Sequence, residues 1–102
     1  MKTLTVIRHQ LMQGEFEFSR HAFRRTVERN ISEVEIRHAG IQAEIIEEYP
    51  DDKYSPSCLI LGFTQAGRPL HLQVSTADTI LVKIITIYEP DGQEWINYTQ
   101  RR

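Results

Sequence analysis

His21, Arg25 and Arg29 stand four residues apart, so that on a helix all three project from one side. Arginine's planar fork matches phosphate oxygens and an imidazole changes charge near neutral pH. The ridge therefore fits a phosphate-binding face with a proton carrier at one end. An ordinary solvated helix face carries the same residue types, and spacing alone leaves both readings open. A second group surrounds His71, which follows Gly67-Arg68-Pro69-Leu70 and shares strand parity with Gln73. An imidazole, an amide and the Arg68 guanidinium could converge there on the polar face of a strand. The other reading of His71 is a surface or hydrogen-bonded structural histidine. Tyr88 could add a hydroxyl, or could be core with its oxygen at the rim.

If these groups meet, the chemistry they suit is phosphodiester cleavage without a metal. RNA carries its own nucleophile, the 2′-hydroxyl; a base removes its proton, cations stabilise the phosphoryl transition state, and an acid protonates the leaving oxygen. No Cys-x-x-Cys, His-Glu-x-x-His or Asp-x-Asp-x-Asp-Gly spacing occurs, and His9, His21, His38 and His71 do not define a zinc site. Neither metal nor cofactor is expected. Glu44, Glu47, Glu48, Asp51 and Asp52 read either as a cation site or as a solvated acidic hairpin. Cys58, the single cysteine, lies in the apolar run Ser57-Cys58-Leu59-Ile60-Leu61 and reads as an inert buried thiol.

The elements that must position these residues follow from periodicity. Leu4, Ile7 and Leu11 predict an amphipathic helix closed by Gly14. Ser19 caps a second helix, with Phe23, Thr26 and Val27 as its expected apolar stripe and the cationic ridge facing away from it. Ser32-Glu33-Val34-Glu35 has the capping-box spacing, opening a third helix to about Ala39 or Ile41. From residue 43 the period changes to that of strands at 45–46, 57–63, 70–75 and 80–88, separated by turn residues. Residues 80–88 are apolar on both faces except at Lys83, as in a central strand. The expected fold class is α+β: two or three helices packed on one face of an antiparallel sheet of about four strands, in one domain spanning 1–102.

Composition bounds the function. The chain has 102 residues, 25% of them charged, and a net charge of −2. That total divides unevenly: residues 1–38 carry 7 basic and 5 acidic side chains, residues 39–56 carry 1 and 5, and residues 57–102 carry 4 and 4. A strongly basic nucleic-acid binder is excluded, so any RNA surface must be local. A lone cysteine, no apolar run of membrane-spanning length, and a start at Met1-Lys2-Thr3 unlike a signal peptide together predict a cytoplasmic protein.

Four separated segments, taken in order, resemble a prokaryotic family, domain of unknown function 4258. They are Ser19-x-His21-Ala22-x-x-Arg25-x-x-x-Arg29; Glu44 to Lys53; Gly67-Arg68-Pro69-Leu70-His71; and Ile85-Thr86-Ile87-Tyr88-Glu89-Pro90-Asp91. The family is similar to the RelE/ParE and barnase-like toxin fold, and its genes often lie beside a small zinc-finger, helix-turn-helix antitoxin. The resemblance implies a toxin of a toxin–antitoxin pair, an endoribonuclease neutralised by that partner. Carried over by position, it implicates His71, His21, Arg68 and Tyr88 in catalysis and Arg25 and Arg29 in binding RNA phosphates. Ala43 stands where family members commonly have a glycine, and Gly40 falls three residues earlier. The alternative is a non-catalytic protein-interaction module on the same fold, using the acidic segment 44–52. Exposed strand edges would suit a homodimer or antitoxin docking by strand addition.

Overall fold

The three helices begin where side chains can cap them. In the computed structural model, which describes all 102 residues, Thr3 Oγ1 accepts from the Val6 amide to open α1 (Leu4–Gln13), and Gly14 closes it at φ 79°. Ser19 caps α2 (Arg20–Glu28) through the Ala22 amide. Ser32 and Glu35 form the full capping box of α3 (Glu33–Ile41). Each cap satisfies an amide that the first turn leaves without a partner.

Five strands build the main sheet: β1 (Phe16–Phe18), β2 (Glu44–Tyr49), β3 (Ser57–Phe63), β4 (Pro69–Ser75) and β5 (Val82–Tyr88). Their spatial order is β1-β5-β4-β3-β2. The last four form the expected antiparallel meander, with Leu61 opposite His71 and His71 opposite Tyr88. β1 corrects the expectation of a purely antiparallel sheet of about four strands. This short segment between two helices pairs parallel to β5, Phe16 against Val82 and Phe18 against Ile84, and makes the sheet mixed. Three residues are too few to establish a period of two, but their pairing gives β5 a neighbour on each side. That accounts for the apolar character of residues 82–88; Ile80 and Leu81 of the expected run 80–88 precede the strand, and Ile80 is exposed.

The helices share one face of the sheet. Ile7 and Leu11 of α1, Ala22 of α2 and Ile36 and Ala39 of α3 meet Ile60, Leu70, Leu72, Val74, Val82 and Ile84 in a single core. Close approach is enforced by glycine. A Cβ on Gly62 would collide with the Ala39 carbonyl, and one on Gly40 with Leu11. Gly40 is thus used at the α1–α3 crossing, while Ala43 beside it is buried and its carbonyl accepts from Arg8 Nε at 2.7 Å.

The stripe expected on α2 holds at Thr26 and fails at Phe23 and Val27. Phe23 and Val27 are 58% and 69% exposed, and Ala22 and Thr26 are the buried side chains. Small residues at that i, i+4 pair let the helix lie close against the sheet. Positions 21 and 25 are one step around the helix from 22 and 26, so the cationic ridge borders the sheet instead of facing away from it.

The opposite sheet face is partly roofed by a hairpin near the C-terminus, β6 (Trp95–Ile96) and β7 (Gln100–Arg101). Asn97 and Tyr98 turn it with φ of 51° and 63°, both left-handed, and the Thr99 amide closes the turn on the Ile96 carbonyl at 3.0 Å. No helix is long and apolar enough to cross a membrane. The radius of gyration, 12.4 Å, is near the roughly 13 Å expected of a compact chain this long.

Candidate functional site

A groove of about 410 Å³ runs between α2 and the C-terminal end of β5. His21, Arg25 and Arg29 line one wall, Thr86 and Tyr88 the sheet side, and Glu89, Asp91 and Glu94 the segment leading into β6. The cationic ridge is therefore a wall of a cleft. Arg25 Nη1 pairs with Glu28 at 3.1 Å, with both side chains well exposed. Such a pair is worth about 0–1 kcal/mol, so it yields readily to a bound anion. The Arg29 guanidinium and the His21 imidazole make no hydrogen bond to protein atoms.

His71 does not reach this groove. Its strand parity does turn it away from the helices, but the surface it meets is covered by the β6–β7 hairpin. The residue is 0% exposed. The Trp95 ring meets the imidazole edge-on at 4.5 Å between centroids, and Tyr88 does so at 5.2 Å. Nε2 lies 2.7 Å from the Tyr98 carbonyl and Nδ1 lies 3.1 Å from the Tyr88 hydroxyl. A carbonyl can only accept, so Nε2 carries the proton; Nδ1 of the neutral ring then accepts from Tyr88. Burial holds the His71 pKa below its ordinary value, against the pull of the Tyr98 carbonyl and Glu47. Both nitrogens are committed. Of the two readings of His71, these surroundings are those of the hydrogen-bonded structural histidine.

Tyr88 is constrained in consequence. Its ring lines the groove, but its single hydroxyl proton is directed to His71 Nδ1, and burial pushes its pKa up. It can accept a hydrogen bond from a ligand, but cannot supply a proton while it holds His71.

Arg68 is also diverted. Nε donates to Glu89 at 2.6 Å, Nη1 to both oxygens of Glu35 at 3.2 Å and to the Asn30 carbonyl at 3.1 Å, and Nη2 to the Arg29 carbonyl at 2.9 Å. The guanidinium thereby satisfies carbonyls left open at the end of α2, ties that end to α3 and anchors the strand end after Tyr88. Ser32's amide, reinforced by Arg68, holds the Glu35 carboxyl below the usual range. Arg68 is a clamp that positions Arg29, not a ligand-facing cation.

The hairpin roof is fastened by charge. Arg101 donates to both oxygens of Glu47, at 2.9 and 3.1 Å, while its guanidinium sits 4.7 Å over the Trp95 ring. Arg101 lowers the Glu47 pKa, and Tyr49, which donates to Glu47, is pushed up to about 12, chiefly by burial. Of the acidic segment, Glu47 is therefore structural. Asp52 is too, holding Ser57 Oγ at 3.1 Å and Gln73 Nε2 at 2.8 Å. Gln73 lies on the polar face as expected but apart from His71's partners. Cys58 is buried, and its thiol is pushed up to about 11 by that burial. No group of three His, Cys, Asp or Glu side chains is placed to hold a metal ion.

Of the six residues expected to act, His21, Arg25, Arg29 and Tyr88 share one groove, while His71 and Arg68 are built into the scaffold behind it. Sequence reasoning missed Glu89, Asp91 and Glu94 as groove residues. The turn residues Pro90, Asp91 and Gly92 are the one local signal that the chain bends there.

Residues 18–89 match the model of a family described as Domain of unknown function (DUF4258), over more than half of the 102 residues. The chain belongs to the DUF4258 family. The matched segment runs from the α2 cap to Glu89, so it contains the ridge, Arg68, His71 and Tyr88; the hairpin that covers His71 follows it. No curated protein and no solved structure matches the chain.

Proposed function

We propose that this DUF4258 protein is the toxin of a toxin–antitoxin pair, a metal-independent endoribonuclease of RelE/ParE or barnase-like type, kept silent by a partner antitoxin. The observation that carries the reading is the groove that gathers one exposed imidazole, two guanidiniums and three carboxylates. Of the four arginines over residues 20–29, Arg25 and Arg29 line the groove, so this wall is locally cationic in a chain of net negative charge.

Arg25 and Arg29 hold the scissile phosphate. One of the carboxylates Asp91 and Glu94 takes the 2′-hydroxyl proton, the 2′-oxygen bonds to phosphorus, and the bond to the 5′-oxygen breaks. His21 in its imidazolium form gives that leaving oxygen a proton. One proton is taken and one returned, leaving a 2′,3′-cyclic phosphate and a 5′-hydroxyl. Neither a metal nor an oxidant is required.

The test is cleavage of mixed RNA by purified protein, freed of any partner and kept in a chelator. Wild type should cut, and His21→Ala should lose about 10²–10⁴-fold in rate, the range general acid catalysis contributes. Arg25→Gln with Arg29→Gln should weaken RNA binding. Intact RNA with wild type, or undiminished cutting by His21→Ala, would overturn the enzyme.

A non-catalytic interaction module is favoured by one separate observation: β2 is an edge strand of the sheet, with Glu44 and Glu48 exposed along it. A basic extended segment of a partner could add there as a further strand. Growth arrest by wild type and equally by His21→Ala would select this second reading.

A further inference from the structure

A second and larger groove, of about 780 Å³, lies on the polar face of the sheet. It is continuous with the first, because His21 and Thr86 line both. Its character differs. Where the first groove holds charges of both signs, this one is made of Tyr54, Ser55, Gln73, Ser75, Lys83 and Ile85. Its volume is that of a cleft that receives a small organic group.

Tyr54 is the anomaly in this wall. It is 91% exposed, on a loop that Asp52 ties to the sheet. Asp52 Oδ1 accepts from the Tyr54 amide at 3.2 Å, and Asp52 Oδ2 accepts from Gln73 Nε2 at 2.8 Å. One carboxylate thus ties the loop that presents the aromatic ring to the strand at the groove floor. The same contact orients Gln73. Its amide nitrogen faces Asp52 and Ser57, so its carbonyl oxygen is left as an acceptor without a protein donor. Lys83, the one charge in the apolar run of β5, makes no ion pair and lines the same cleft.

We propose that this groove is the nucleobase subsite of the nuclease: a base unstacked from single-stranded RNA rests on Tyr54 and offers its edge to Gln73 Oε1, while Lys83 meets the adjoining phosphate. The inference rests on the RNA-cleaving reading and extends it to a substrate class. His21, standing between the two grooves, faces the link between that nucleotide and its neighbour. Aromatic stacking accepts any base and requires an unpaired one, because the bases of an A-form duplex are stacked within the helix. The substrate is therefore single-stranded RNA, and duplex RNA is excluded.

The test uses a fluorescein-labelled single-stranded hexaribonucleotide whose 2′-positions are methylated to block cleavage, and the same strand with its bases removed. Affinities are read by anisotropy. Tyr54→Ala should weaken binding of the intact strand about tenfold or more, the scale of one lost base stack. Tyr54→Phe, which keeps the ring, should restore most of it. Wild type should bind the abasic strand about as weakly as Tyr54→Ala binds the intact one, and the variant should lose little more on the abasic strand. Unchanged affinity in Tyr54→Ala, or an equal loss on both strands, would overturn the subsite. If Arg25→Gln with Arg29→Gln weakens binding while Tyr54→Ala leaves it unchanged, this inference alone falls. If wild type binds neither strand, the RNA reading falls with it.

Discussion

His71 shows how much one side chain's role depends on what covers it. As a residue type in a polar strand position it is a candidate acid or base; under Trp95 and Tyr98 it is a neutral hydrogen-bonded pillar. The sign of its effect on stability follows. The unfolded chain's imidazole titrates near 6.5, and the folded one lower. As pH falls below about 6.5 the unfolded state takes up the proton first, so stability declines from its full value above that pH. Glu35 and Glu47 are lowered from 4.5 and stabilise fully above that value, so they add no slope until more acid pH. Thermal melts between pH 8 and 5 should show wild type falling over the lower half of that range. His71→Phe should melt lower throughout but more flatly there, since it cannot titrate. Parallel curves for the two proteins would assign the slope to another group.

At the scale of elements, the site depends on two close approaches and one roof. α3 lies so near β3 that Gly62 has no room for a Cβ against the Ala39 carbonyl. A backbone atom cannot rotate aside, so Gly62→Ala should cost about 1–3 kcal/mol, the range for overpacked cores. Chemical denaturation should show a lower midpoint with little change in slope. Gly92→Ala, where nothing lies within 4 Å, is the control and should leave the midpoint near wild type. The roof is the β6–β7 hairpin. Its double left-handed turn at Asn97 and Tyr98 aims the Tyr98 carbonyl at His71, while Arg101 pins its far strand to Glu47 on β2. Its position over β3, β4 and β5 separates the structural histidine from the open groove.

Over the whole molecule, a net charge of −2 argues against binding RNA through a diffuse basic surface. It is compatible with a few contacts inside one cleft. Three cations face the paired grooves besides His21: Arg25, Arg29 and Lys83. With a slope of about −0.7 per phosphate for single strands, the logarithm of affinity against the logarithm of salt should fall with a slope of about −2. Titrations of a cleavage-blocked strand from 50 to 300 mM salt measure it. A slope much steeper than that would place the RNA on a wider surface. The same bookkeeping explains why the ridge alone was ambiguous: charged side chains on a helix become a site only if the fold turns them toward a wall.

Much of this was legible in the sequence because it is local. Helix caps act within three residues, the Gly14 stop within one turn, and strand periodicity within a single run, so α2 and α3 start at Ser19 and Ser32, α1 stops at Gly14, and the four meander strands overlap the apolar runs. The His21–Arg25–Arg29 alignment is equally local, and the four ordered segments led to the family that residues 18–89 confirm. Tertiary structure alone decided which side of α2 is buried, that Phe16–Phe18 joins β5, and that Arg68 closes the end of α2 across 38 and 39 residues. It also decided that His71 meets a carbonyl 27 residues away, while His21 lines the open groove. Those outcomes rest on contacts between distant segments, whose pairing is set by close packing and burial over the whole chain, and no periodicity within a segment encodes them.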